Sequence, residues 1–96
     1  MSIAMKFKAQ FDIDFTKADQ DSFQEVMTEL YGARLKFPNM SSAHEGYAVI
    51  LEELDELWEE VRKRPERRLG RAMRDECRQI AAMAVRMMSD VCGDGE

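Results

Sequence analysis

Leu69-Gly70-Arg71-Ala72-Met73-Arg74-Asp75-Glu76-Cys77-Arg78-Gln79-Ile80-Ala81-Ala82-Met83-Ala84-Val85-Arg86-Met87-Met88-Ser89-Asp90-Val91 is the stretch on which the fold turns. Leu69, Met73, Ile80, Met83, Ala84, Met87 and Val91 recur at spacings of three and four, the pattern of a helix with one buried stripe. At roughly 100° per residue, and with Glu76 taken as zero, this apolar set falls between about −20° and +80°. Glu76 therefore points into the core that the stripe builds. An unpaired buried carboxylate costs several kcal/mol, so Glu76 must be protonated, matched by a base or bound to a metal ion.

Working outward, the rest of the chain also reads as helix. Phe23, Val26, Met27, Leu30 and Tyr31 give a first long helix over about Ala18 to Lys36, which Phe37-Pro38-Asn39 ends. Ser42 and Glu45 are spaced as a capping box for a second helix over about Ala43 to Lys63, and Pro65 fits the start of the next segment. Gly70 marks a break at the start of the third helix, and residues 93–96 are expected to form a frayed polar tail. Ahead of these helices, Phe7, Ala9, Phe11, Ile13 and Phe15 alternate with Lys8, Gln10, Asp12 and Asp14, the period of a half-buried strand. Such a strand pairs with its copy in another subunit, or it is an extended arm laid across a helix pair.

The expected fold class is all-α: a helical bundle over residues 18–92, completed by oligomerisation and preceded by an N-terminal extended arm over residues 1–17. Ninety-six residues make one small domain that buries only about 60 to 65% of its unfolded surface, so assembly into a homodimer or homotetramer is expected.

With 14 Lys+Arg against 19 Asp+Glu the formal charge is −5, which disfavours general nucleic-acid binding. No run approaches the roughly 20 apolar residues that a membrane span requires, and Met1 to Lys8 lacks the apolar core of a signal peptide. Cys77 and Cys92 lie fifteen positions apart on one helix, about 22 Å, too far for a disulfide between them. Reduced thiols and a cytoplasmic location are the corresponding expectation.

The second helix sorts its acids into two groups. Measured from Val49, the apolar residues Val49, Ile50, Leu54, Leu57, Trp58 and Val61 centre near 100°, while Glu53, Glu56 and Glu60 fall at about 40°, −20° and 20°. These three line the border of the expected buried face; Glu52, Asp55 and Glu59 lie on the solvent side. Basic residues around Lys63 could neutralise the acidic run. Glu53 and Glu56 facing Glu76, however, is also how two helices of a bundle gather oxygen ligands for Mg²⁺ or Mn²⁺.

Glu53-Leu54-Asp55-Glu56, with the double acid Glu52-Glu53 at its front, and Glu76-Cys77-Arg78-Gln79 about twenty residues later together resemble the motifs of the MazG-like all-α nucleoside triphosphate pyrophosphohydrolases. His44 through Glu60 and Gln79 through Ala84 are similar to small members of that group, so the resemblance spans roughly Ser42 to Val91. It implies Mg²⁺-dependent hydrolysis of a nucleoside triphosphate to the monophosphate and pyrophosphate. It also implies that Glu53, Glu56, Glu76 and Gln79 surround the metal and that Glu52 orients the attacking water. Gln79 stands where the family has an aspartate, which removes one negative charge from the ligand set and weakens the metal's hold. A triphosphate also needs a base, for which Lys63 and Arg86 are the candidates. The competing reading is a non-enzymatic acidic interaction module in which Glu76 pairs with an arginine across a subunit interface.

Overall fold

The computed structural model describes residues 2–93 and is all-helical: four α-helices and no strand among those residues. Helix α1 covers Ile3–Phe11, α2 Lys17–Lys36, α3 Ala43–Val61 and α4 Gly70–Met87. A single 3₁₀ turn, Pro65–Arg67, lies between α3 and α4, and a π-helical turn, Met88–Cys92, extends α4. No helix among the described residues is long and apolar enough to cross a membrane. Of the expected tail, Asp94 to Glu96 lie outside the described residues.

Local sequence accounts for the helix starts. Thr16 accepts from Asp19 N–H while the Asp19 carboxylate accepts from Thr16 N–H, a complete capping box that begins α2. Ser42 accepts from Glu45 N–H to begin α3. The Glu45 side chain does not close the expected box on Ser42; it reaches one residue further and accepts from both the amide and the hydroxyl of Ser41. The α2–α3 connection is thereby tied to the helix that follows it.

The N-terminal segment corrects the sequence reading. Most of the expected strand is helix: Ser2 caps α1 by accepting from Met5 N–H at 3.1 Å. Phe7, Phe11 and Phe15 are four apart, which is both a multiple of the strand period of two and about one helical turn, so one set of rings satisfies either period. Helix prevails because it satisfies its own backbone groups, whereas a lone strand has no partner for them. Only Asp12 to Phe15 is irregular, and Asp12, at φ 54°, turns the chain out of α1. Phe7 then stacks edge-on against Phe15 at 5.4 Å and Phe15 against Phe23 at 5.3 Å, tying the arm to α2 through a chain of rings.

Helix α4 lies between α2 and α3 and packs against both, while those two make little direct contact with each other. The molecule is 24 Å in its thinnest dimension. Its core is small: Ala33, Met40, Ala82 and Met83 are the buried apolar residues, backed by half-buried Val26, Leu30, Val49, Ile50, Met87 and Val91. Ala33 and Ala82 leave room for α2 and α4 to approach closely. Gly46 does the same for α3, since a Cβ there would stand 2.9 Å from the Met87 side chain.

Candidate metal centre

Helix α3 is rotated relative to the sequence expectation. Leu54 and Trp58, assigned to its buried stripe, are exposed, and Trp58 retains 59% of its accessible surface. Val49, Ile50, Glu53, Leu57, Glu60 and Val61 are the residues turned inward. The buried face thus centres close to Glu53 and not on its apolar flank. Two acids of the border group become part of the α3–α4 interface.

Across that interface α4 presents Glu76. One carboxylate oxygen from each of Glu53, Glu56 and Glu76 lies within 4.8 Å of the others. Glu53 and Glu76 are half-buried and Glu56 is exposed, so the group opens to solvent on the Glu56 side. Glu53 Oε2 and Glu76 Oε2 are each buried without a hydrogen-bond partner. Three acids this close oppose one another's ionisation. Burial first, then the charges of Glu56 and Glu76, push the Glu53 carboxyl up from 4.5 to about 7. Burial and the adjoining Glu56 carboxyl likewise raise Glu76 above the ordinary carboxylate range.

The donor set fits a hard divalent cation. Oxygen ligands at about 2.1 Å from Mg²⁺ stand roughly 3 Å apart when adjacent and about 4.2 Å when opposite. The three carboxylates need only small side-chain movements to reach that spacing. Two arginines of α4 are engaged by other acids: Arg74 pairs with Glu25 of α2, and Arg78 pairs with Glu29 at 3.4 Å and with Asp75 at 3.1 Å. Neither supplies a counter-charge to the acid group.

The remaining candidates divide. Gln79 is half-buried one turn beyond Glu76 on α4. Glu52 is exposed next to Glu53 and stands outside the group of three. Lys63 binds Glu60 Oε1 at 2.8 Å, one turn past Glu56, while Glu60 Oε2 is buried and unpartnered. Arg86 does not approach the acids. It lies ten residues beyond Glu76, about 15 Å along the helix, and is buried at the far end of α4. There it donates to Pro38 O at 3.0 Å, contacts Met83 Sδ at 3.2 Å and sits over the Phe37 ring.

Sequence reasoning missed the polar latch at that far end. Asp90, in the π-helical turn, accepts from Met40 N–H at 2.9 Å and binds Arg34 at 2.8 Å, so the α2–α3 connection is fastened to the end of α4. Those bonds hold its carboxyl below the ordinary range. A signal was available: Asp90 follows Glu76 by fourteen residues and falls at about −40° on the same wheel, a second acid beside the apolar stripe.

No protein-family model matches this chain, and no curated protein or solved structure matches it either.

Proposed function

We propose that this chain is a Mg²⁺-dependent nucleoside triphosphate pyrophosphohydrolase, acting as a homodimer or homotetramer to convert a nucleotide and water to the monophosphate and pyrophosphate. The observation that carries the reading is the group Glu53, Glu56 and Glu76, three carboxylates drawn from two helices with an oxygen of each within 4.8 Å of the others. A group of like charges half-buried at a helix interface opposes folding unless a proton or a cation offsets it. The motif resemblance points the same way.

In this reading Glu53, Glu56 and Glu76 hold the ion and Gln79 adds an amide oxygen or a bound water. A bound Mg²⁺ there supplies charge neutralisation on the phosphates and a water of lowered pKa. The chain's own residues do the rest. Glu56, on the open side, would meet the entering triphosphate, and exposed Glu52 is the residue this reading assigns to orient water. Glu53, its carboxyl pushed up to about 7, would be held ionised by a bound cation, so metal affinity should rise with pH. Lys63, paired with Glu60 one turn past Glu56, is the base this reading assigns to the triphosphate.

The competing reading is an acidic interaction module whose Glu76 takes an arginine from a partner. The solvent-facing Glu56 favours the first, because an acid group open to water admits a hydrated ion and its phosphate ligand. The deciding experiment is pyrophosphate release from a panel of ribo- and deoxynucleoside triphosphates with Mg²⁺, with Mn²⁺ and with EDTA. Metal-dependent release that is lost in Glu53→Ala, Glu56→Ala and Glu76→Ala, with helical content kept, supports the enzyme. No release from any nucleotide and no metal-induced thermal shift would turn the assignment to the interaction module.

A further inference from the structure

We propose that the basic turn between α3 and α4 is a phosphate-binding subsite, which receives the β- and γ-phosphates of a nucleoside triphosphate whose α-phosphate lies at the Glu53, Glu56 and Glu76 group. It rests on the pyrophosphohydrolase reading above for its substrate and adds the direction in which that substrate lies.

Half of the chain's 14 lysines and arginines fall within thirteen residues, Arg62-Lys63-Arg64-Pro65-Glu66-Arg67-Arg68-Leu69-Gly70-Arg71-Ala72-Met73-Arg74, although the net charge is −5. Every residue from Arg62 to Arg71 is exposed, and Glu66 is the one acid among them. The C-terminus of α3 favours bases beside its last carbonyls, and Arg62 and Lys63 stand there. Both are already paired, Arg62 with Glu59 at 3.3 Å and Lys63 with Glu60 at 2.8 Å. That effect does not account for Arg64, Arg67, Arg68 and Arg71, which have no acid partner among the described residues. Other bases are neutralised locally: Lys8 by Asp12, Lys17 by Asp21, Arg74 by Glu25 and Arg78 by Glu29.

Backbone bonds order the turn. Pro65 starts its 3₁₀ helix, Arg67 N–H donates to Arg64 O at 2.8 Å, and Arg68 Nε donates to Val61 O at 2.8 Å. These bonds leave the Arg64 and Arg67 guanidinium groups unengaged. Connectivity then sets the turn beside the acids. Helices α3 and α4 pack against each other and only eight residues, 62–69, join them, so they run antiparallel with the turn at one end of their interface. From Glu56 to the end of α3 at Val61 is about 7.5 Å, and from Glu76 back to Gly70 about 9 Å. The outer phosphates of an extended triphosphate and the long arginine side chains together cover such a gap.

Charge selects the ligand. Three carboxylates around one divalent cation leave no positive charge over with which to hold a triphosphate. The other arginines of α4 do not supply it: Arg74 and Arg78 are committed to acids of α2, and Arg86 is buried against Pro38 O. The turn holds the largest group of uncommitted bases among the described residues, and the forked guanidinium grips phosphate oxygens in pairs. A nucleobase needs an apolar or aromatic face, for which residues 62–68 offer only Pro65. The phosphate end of the substrate therefore points to the turn and the nucleoside away from it.

The test pairs kinetics with direct binding on the full chain at about 0.15 M salt, where long-range attraction is screened. Wild type is compared with Arg64→Glu/Arg67→Glu and with Lys6→Glu/Lys17→Glu, which changes the net charge equally elsewhere. Each is assayed with Mg²⁺ on a nucleoside triphosphate and on its diphosphate, and titrated in EDTA with inorganic tripolyphosphate and with a single-stranded oligonucleotide. Circular dichroism checks helical content; should the charge reversal lower it, Arg64→Gln/Arg67→Gln is read in its place. The turn variant should raise KM for the triphosphate about tenfold with kcat little changed, and raise KM for the diphosphate much less. It should also lose tripolyphosphate binding, while the control keeps wild-type behaviour throughout.

Where wild type is active, KM decides: an unchanged KM in the turn variant, or an equal rise in the control, overturns the subsite and leaves the pyrophosphohydrolase reading standing. Oligonucleotide binding that the turn variant loses while KM is unchanged overturns it in favour of nucleic acid. Where wild type is inactive, tripolyphosphate decides. Binding that only the turn variant loses sustains the subsite and retires the pyrophosphohydrolase reading, and no binding overturns both.

Discussion

Charging Glu53 should destabilise the metal-free protein, and Glu53→Gln should relieve the penalty. The folded-state carboxyl titrates near 7 against 4.5 for an ordinary glutamate. Between these values the folded chain binds more protons than the unfolded chain, so stability falls as pH rises. The contribution is whole below about pH 4.5 and is lost by the time pH has passed through 7. A full shift of this size corresponds to about 3.4 kcal/mol at 1.36 kcal/mol per unit. Water reaches the open side of the group and screens it, which brings the expectation to about 1 to 2 kcal/mol. Glu76, raised for the same reasons, adds to the slope with the same sign. Glu25, Glu45 and Asp90 are held below their ordinary values, so their contributions change on the acid side, outside this window.

The assay is urea unfolding followed by circular dichroism in EDTA at pH 5, 6, 7 and 8. Wild type should lose about 1 to 2 kcal/mol across that range, and Glu53→Gln should flatten the slope and exceed wild type at pH 8 by a similar amount. For a domain of this size that is a rise in Tm of roughly 4 to 8 °C per kcal/mol. A flat wild-type profile, or a Glu53→Gln protein less stable than wild type at pH 8, would refute the reasoning that these acids burden one another.

Four further outcomes are expected. Millimolar Mn²⁺ or Mg²⁺ at pH 8 should raise Tm, by about 2.7 kcal/mol of stabilisation at a hundredfold excess over Kd, and Glu76→Ala should abolish the shift in a melting scan. Asp90→Asn, which keeps shape but removes the charge that Arg34 and Met40 N–H address, should lower Tm. Lys17→Ala, which breaks only the exposed pair with Asp21, should leave Tm nearly unchanged in the same scan. Ala82→Leu should cost about 1 to 3 kcal/mol in urea unfolding, because the fully buried Ala82 sits where a larger side chain has no space.

The long helices were legible because their boundaries rest on local chemistry. Ala18 to Lys36 was expected and Lys17–Lys36 is found; Ala43 to Lys63 was expected and Ala43–Val61 is found. A proline after Phe37 and a serine cap at position 42 act within a few residues and do not depend on tertiary contacts. The N-terminal segment had no such anchor. Its phenylalanines satisfy two periods at once, and Ser2, the cap that decides between them, lies ahead of the alternating run.

The acid group was legible for a different reason. Glu76 breaks the pattern of its own stripe, and a violation of a local rule that the fold must compensate is visible without knowing the fold. The rotation of α3 was not, because Leu54 and Trp58 are as apolar as Leu57 and Val61, and hydropathy does not say which half of a wide apolar face meets α4. A chain that turns Glu53 inward leaves Trp58 and Leu54 in water, and one that gathers three carboxylates in its α3–α4 interface gives up apolar contacts that a small domain can ill spare. In the proposed function a cation between α3 and α4 would offset that charge, which is why metal-dependent melting tests the site directly.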